Sequence, residues 1–239
     1  MALKVIVEGY DENQNKQPVF VDPDGKLRTG IVEYIKLIAQ HNTDGVVVGT
    51  GTTTPTTYNT ILCYPLPLHS NNVGDDYQES TLTLTASAGS TASRTGSVSA
   101  TFVATLRNAI RIVRGDVIAI ITYTYFTNNA SATVTISSID VEIGKIDTSS
   151  GTKTTIVSKS LTINRSTTNS AITESIAVIF GNLDFDIKEG ERLYLTVTIN
   201  YSFTVDATGS TAAITSTATV RIDHYRGTDD THILLPVVM

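Results

Sequence analysis

The acidic residues are the first candidates for chemistry, and they are scattered. Asp75-Asp76, Asp184 with Asp186, and Asp229-Asp230 are the close pairs, each beside an expected loop or strand end. Glycoside hydrolysis needs two carboxylates converging across a cleft, usually with aromatic platforms, and aromatics make up only 7% of this chain. The acids therefore read as solvated turns first and cation ligands second. Cys63 and His69 stand six positions apart with no Asp or Glu between them. A nucleophile pair would also need an orienting group and an oxyanion site, so a buried cysteine and a loop histidine is the simpler account. Asp22-Pro23-Asp24-Gly25 opens like a calcium loop but lacks the later ligands, and Pro followed by a closing Gly is what a β-turn requires. Arg114-Gly115-Asp116 spells an adhesion tripeptide. Glu189-Gly190-Glu191 stands at the matching point before another long strand, so a turn that needs Gly accounts for both. Asn129-Ala-Ser, Asn164-Arg-Ser and Asn200-Tyr-Ser are glycosylation sequons, common by chance in a Ser/Thr-rich chain. No catalytic residue, metal ligand or cofactor is assigned, and the expectation is that the protein is not an enzyme. Ligand binding would fall to exposed aromatics near loops, for which Tyr58, Tyr64 and Tyr77 are the candidates.

The elements that position these residues are strands. From Ile187 to Phe203 the side chains alternate strictly, with Leu193, Leu195, Val197, Ile199, Tyr201 and Phe203 on one face and Tyr194, Thr196, Thr198, Asn200 and Ser202 on the other. That is a long strand with one face in a core. Ile112 to Phe126 echoes it at an offset of 75, which lays Leu193 on Ile118 and Gly190 on Gly115. Eight strands are expected, at 80–88, 96–107, 115–127, 131–144, 153–164, 172–181, 190–205 and 211–225. Leu82 matches Leu161 and Val134 matches Val220, so the strands read as two similar sets of four. Val134 and Ile136 change phase to Ile139 and Val141, which places a β-bulge at Ser137-Ser138. Ile176, Val178 and Phe180 change phase after Gly181-Asn182, which suggests a corner between sheets. Val117, Ala119, Ile121, Tyr123 and Tyr125 make that strand apolar on a second face, which points to cover from the N-terminal segment or another subunit. The expected fold is all-β, an eight-stranded jelly-roll sandwich of two Greek-key halves at 71–227.

Residues 1–70 read as an N-terminal arm: short strands at Leu3 to Glu8 and Gln17 to Val21, a helix at Gly30 to Asn42 for which the Ile and Val content leaves a strand open, then a Gly/Thr linker. The helix rests on Ile31, Tyr34, Ile35 and Ile38 at i, i+3, i+4, i+7. Ile61 to Leu68 holds two prolines and suits an edge strand or an irregular segment. Residues 228–239 form an apolar tail. Ile233, Leu234, Leu235, Val237 and Val238 need burial on the chain's own sandwich or on a neighbouring subunit.

Net charge is −6 and no basic patch stands out, which argues against a nucleic-acid backbone as main partner. The single cysteine forbids an internal disulfide. No signal-peptide h-region and no apolar run of membrane-spanning length is present. The body is nonetheless rich in Thr, Ser, Val and Ile and sparse in Lys and Glu, the style of an exposed extracellular β-protein. A chain made in the cytoplasm and dressed for the outside suggests a virion component.

Gly9-Tyr10-Asp11, then Gln17-Pro18-Val19-Phe20-Val21-Asp22-Pro23-Asp24-Gly25-Lys26-Leu27, resembles a segment common near the N-termini of structural proteins of phages and archaeal viruses. Ile187-Lys-Glu-Gly-Glu-Arg-Leu-Tyr-Leu195 is also similar to strands of viral jelly-roll subunits. The resemblance implies a coat, vertex or portal-proximal subunit and carries over no binding residues. The expected function is that of a virion structural protein acting by self-assembly, with itself and other virion proteins as partners. Its expected interface is Val117, Ala119, Ile121, Tyr123 and Tyr125 with the C-terminal tail. The alternative is a glycan- or receptor-binding module.

Overall fold

The computed structural model describes residues 7–10, 16–21, 27–28, 32–49, 53–63, 77–105, 112–224 and 231–238. Among them are fourteen strands and no helix. Three form a small N-terminal sheet: β1 (Val7–Tyr10), β2 (Lys16–Val21) and β3 (Leu27–Arg28). The rest share one eleven-stranded sheet. It contains β4 (Val32–Val48), β5 (Thr56–Cys63), β6 (Tyr77–Ala86), β7 (Thr91–Ala104), β8 (Ile112–Thr127), β9 (Ala132–Asp147) and β10 (Lys153–Thr167). It is completed by β11 (Ile172–Asp186), β12 (Glu191–Asp206), β13 (Ile214–Asp223) and β14 (His232–Val238).

The eight strands β6 to β13 match the eight expected segments. They pair as nested antiparallel couples, β9 with β10, β8 with β11, β7 with β12 and β6 with β13. Side by side they form two four-stranded layers, β7-β12-β9-β10 and β6-β13-β8-β11. The layers face each other across a single core. On β12 the six alternating residues from Leu193 to Phe203 are all at most 1% exposed. Burying each contributes roughly 1.5–3 kcal/mol. The expected bulge also occurs: Asn200 pairs with Ser138 and Tyr201 with Ile136, leaving Ser137 as the extra residue.

Several expectations are corrected. Of the two readings of 30–42 the described residues take the strand, since β4 runs from Val32 to Val48. Leu37 and Ala39 enter the main core while Tyr34 is 54% exposed on the opposite side. A strand apolar on both faces can mimic helical spacing. The supposed linker contributes Val46 and Val48 to a second core with Ile61, Val103, Ile146 and Tyr194. Ile61 and Leu62 lie in β5, a strand bonded to β4 and, in parallel, to β7, so this part of the apolar Pro-rich stretch is not at an edge. Gly181-Asn182 is a bulge within β11, which keeps β8 as its partner on both sides.

Gly115 does not occupy a turn before its strand. It lies inside β8 with φ near 130°, a conformation that disfavours any side chain. A Cβ there would come within 3.4 Å of Pro236. Pro236 sits in β14, between β4 and β8, and the β8 register breaks between Leu234 and Val237. The missing proline N–H thus coincides with a gap in the ladder, which is how an interior strand tolerates proline.

The offset of 75 fails for a related reason. Leu193 is a core residue, whereas its match Ile118 is half-buried on the outer face of β8. The inward residues of β8 are Val117, Ala119, Ile121, Tyr123 and Tyr125. A one-residue slip exchanges the two faces of a strand.

The apolar tail is β14, docked within its own chain, with Ile233, Leu235 and Val237 buried. Leu235→Ala is expected to lower unfolding free energy by about 2–5 kcal/mol in urea titrations. Deleting residues 231–239 should abolish cooperative melting, since β14 fills the ladder between two long strands. A folded monomer after that deletion would contradict this topology.

Candidate functional site

The close carboxylates do not converge on a cleft. Asp184 is tied to Arg114 at 3.0 Å on an exposed surface. The Asp186 carbonyl accepts from Lys145, whose ammonium also meets Glu191 at 3.0 Å. Asp75-Asp76, Asp229-Asp230, His69, Tyr64 and the Asp22–Gly25 turn lie outside the described residues. Cys63 is half-buried, its thiol directed at the Ile38 carbonyl 3.7 Å away. Burial pushes that thiol up to about 11, so it stays protonated and unreactive at neutral pH.

Tyr58 and Tyr77, expected as ligand platforms, each hold a cation of the chain itself. Arg221 stacks over Tyr77 at 4.0 Å and is also within reach of Phe126. Lys153 lies over Tyr58 at 5.4 Å and over Tyr194 at 5.1 Å, which sequence reading did not single out. The Tyr194 hydroxyl donates to Glu142, and Thr155 donates to the same carboxylate oxygen at 2.9 Å. Gly144 leaves room for that phenol, since a Cβ there would come within 2.5 Å of its oxygen. Burial between the rings pushes the Lys153 ammonium down, and Glu142 opposes the shift. Burial, then the hydrogen bond to Glu142, pushes Tyr194 up to about 12. This group clamps the β4–β5 hairpin over the second core.

The five residues Val117, Ala119, Ile121, Tyr123 and Tyr125 are at most 2% exposed within their own chain. They offer no surface to a second subunit. Tyr123 and Tyr125 stack with ring centres 5.9 Å apart, and the Tyr123 hydroxyl donates to Glu174 at 2.8 Å. Of the tail, Ile233, Leu235 and Val237 share that core, and Leu234 is half-buried on the outer side.

Two outer faces remain; both carry cross-strand hydroxyl pairs, and they differ in one apolar area. The outer face of β7-β12-β9-β10 is a lattice of hydroxyls. Ser93 meets Thr204 at 3.0 Å, and Ser99–Thr198 and Thr101–Thr196 each meet at 2.9 Å. At its foot the loops before β9 and after β12 border an open cleft of about 740 Å³. On the other layer, hydroxyls likewise pair across β6 and β13 (Thr83–Thr217 at 3.1 Å, Thr85–Thr215 at 2.9 Å) and across β8 and β11 (Thr122–Ser175 at 2.8 Å, Thr124–Thr173 at 2.7 Å), and the apolar part is confined to the area around Ile118 beside β14 and β4. Ile118 pairs with Leu234 on one side and with Ile179 on the other, and Ile120 stands between His232 and Ala177. Ile38 flanks His232 and Tyr34 flanks Pro236. Ile179 is 51% exposed, as Tyr34 is 54%. No candidate metal cluster occurs among the described residues.

No family model and no curated protein matches the sequence. Solved structures do show likeness. A CocE/NonD family hydrolase from Staphylococcus aureus is 11% identical, over 80% of this chain and 41% of that one, at a TM-score of 0.36. An alpha-amino acid ester hydrolase is 14% identical, over 58% of this chain and 25% of that one, also at 0.36. The infectious bursal disease virus VP2 subviral particle is 10% identical, over 98% of this chain and 74% of that one, at 0.23. The chain spans about two fifths and one quarter of the two hydrolases. Because hydrolases are among the structures it resembles, the expectation that the protein is not an enzyme is overturned. The likeness assigns no activity.

Tyr194 and Tyr123 both resist ionisation in the folded chain. A phenol whose folded pKa lies above its unfolded value contributes stability at lower pH and loses it as pH climbs. Urea stability is therefore expected to fall as pH rises from about 10 towards 12, and Tyr194→Phe should remove part of that slope. An unchanged slope in the variant would refute the role given to Glu142 and burial.

Proposed function

We propose that this chain is a virion structural subunit, with an eight-stranded jelly roll as its body, that works by self-assembly through the apolar area around Ile118. The nested couples support the jelly-roll reading. A long antiparallel ribbon of four strand pairs, wrapped once around a core, gives alternate pairs to opposite layers, and that is the order found for β6 to β13. The N-terminal resemblance to virion proteins supports the setting, a particle assembled inside a host from this and other virion proteins.

The observation that carries the assembly reading is the apolar strip of Leu234, Ile118 and Ile179, which meets β4 at Lys36 with Tyr34 and Ile38 on either side of that lysine. Four strands at ~4.8 Å and two steps of ~6.7 Å give it roughly 250–300 Å² in plan. The largest apolar patch of an ordinary monomer is roughly 300–600 Å² and is often functional. A stable contact buries ~800 Å² per partner, so the strip would be its apolar centre with a polar rim around it.

Sedimentation at micromolar concentration is expected to reveal an oligomer. Tyr34→Glu combined with Ile179→Glu should yield a monomer with an unchanged melting temperature, because both side chains are more than half exposed. A monomeric wild-type protein, or an oligomer indifferent to both substitutions, would overturn the reading.

A further inference from the structure

The outer face of β7-β12-β9-β10 has no part in that contact, and on β7 and β12 its chemistry is uniform. From the Thr91–Asp206 pair to the Thr101–Thr196 pair, the outward positions of β7 and β12 are Ser, Thr and Asn apart from that one Asp. Across β12 the lattice continues onto β9 through Thr204–Thr133 and Asn200–Ser138. Hydroxyls repeat at ~6.8 Å along each strand and ~4.8 Å between strands. Each is both donor and acceptor. Their mutual hydrogen bonds hold them in place before any ligand arrives.

The cleft at the foot of this face is lined by Ser131, Thr133, Asp206, Ser210, Thr211 and Ile214, among others. Its rim is stapled by backbone hydrogen bonds. The Asp206 amide donates to the Ser131 carbonyl at 2.8 Å, the Ala207 amide to Ser90 at 2.8 Å, and the Gly89 amide to Ala207 at 2.9 Å. The Asp206 Oδ1 accepts from the Thr208 amide at 2.9 Å and its hydroxyl at 2.7 Å, and more distantly from Thr91. Its Oδ2 meets no donor among the described residues. Those hydrogen bonds hold the carboxyl below its ordinary range, so it stays charged at any physiological pH. Neither Lys nor Arg is among the lining residues. Thr133 belongs to the cleft and the lattice alike, which makes the two a continuous surface.

We infer that this cleft, with the hydroxyl lattice above it, is a binding site for neutral saccharide chains. Sugar hydroxyls would donate to the open Asp206 oxygen and exchange hydrogen bonds with Ser131, Thr133 and Thr211, while Ile214 offers an apolar contact for the C–H side of a ring. A cleft of this volume is of ligand size, and rigid loops reduce the ordering cost of binding. Fixed negative charge without a nearby cation selects against sulfated, uronic or sialylated sugars. The inference does not depend on the assembly reading, since a monomer has the whole site.

The test is an amide-resolved NMR titration of the full chain with neutral hexasaccharides of glucose, mannose and N-acetylglucosamine, each to about 10 mM. Hyaluronan fragments and sialyllactose serve as anionic counterparts. At least one neutral sugar is expected to shift residues 131–133 and 206–211 saturably, with the anionic sugars inert. Asp206→Asn should weaken that binding at least tenfold. Because Asp206 also caps its own loop, Thr133→Val is the second variant; it leaves the staples intact and should weaken binding at an unchanged melting temperature. Failure of every neutral sugar to saturate, preference for an anionic one, or binding indifferent to both substitutions would overturn the proposal.

Discussion

The open side of β8 is the constraint on which the architecture rests. Along one edge β8 is bonded to β11 from Ile112 to Tyr125. Its other edge is shared, with β13 taking Thr122 to Thr127 and β14 taking the part from Val113 to Ile120. A ladder of unpaired amides in the middle of a sheet would cost several hydrogen bonds' worth of desolvation. The last strand of the chain fills it, and in doing so joins β4 and β5 to the body. Buried Thr231 reinforces the junction, its hydroxyl accepting from the Thr122 amide at 3.1 Å. The apolar tail is therefore a keystone rather than an arm.

That division of one edge between two strands also explains what the sequence disclosed and what it concealed. Strict alternation revealed all eight strands from β6 to β13, and a broken phase located the bulge at Ser137. Alternation says which residues share a face, but not which face is inside. With Val117 to Tyr125 and Ile118 with Ile120 both apolar, β8 reads equally well either way, and the chosen offset took the wrong one. The structural reason is that β8 needs an apolar outer side next to Leu234 and Ile179. The same two-sidedness made β4 look helical. Pro236 argued against an interior strand because nothing in the linear sequence reveals that Gly115 and a register break lie opposite it.

Of the candidate sites, the sequence disclosed little beyond composition. Tyr58 stood out as an aromatic near a loop, but its partners Lys153 and Tyr194 are 95 and 136 positions away, which only the fold brings together. The hydroxyl lattice was visible as an excess of Thr and Ser, yet pairs such as Ser93 with Thr204 depend on the β7–β12 register. The Asp206 cleft left no local signal at all, since it is assembled from two loops far apart in the chain.

The strand edges narrow the ways in which copies of this chain can meet. β10 is the free edge of one layer and β11 and β6 are those of the other, and a regular free edge invites pairing with another chain. β10 and β11 are interrupted, whereas β6 is regular. β10 has register shifts at Thr155/Val157 and Thr162/Arg165, and Asn164 at the second has φ near 59°. β11 shifts at Phe180/Leu183, with Asn182 near 55°. Lys159 spans the gap between the two edges and donates to the Ile179 carbonyl at 3.2 Å. Bulges and a capping lysine deny an incoming strand a continuous ladder. The hydroxyl face denies it apolar area, because its Thr and Ser side chains supply β-branched and cross-strand stability while remaining wet. A different route is the apolar area around Ile118 on the other layer, where Ile179 lies beside the edge but projects outward from the sheet. Contact between copies by that route is face to face, which buries side chains without opening either sheet.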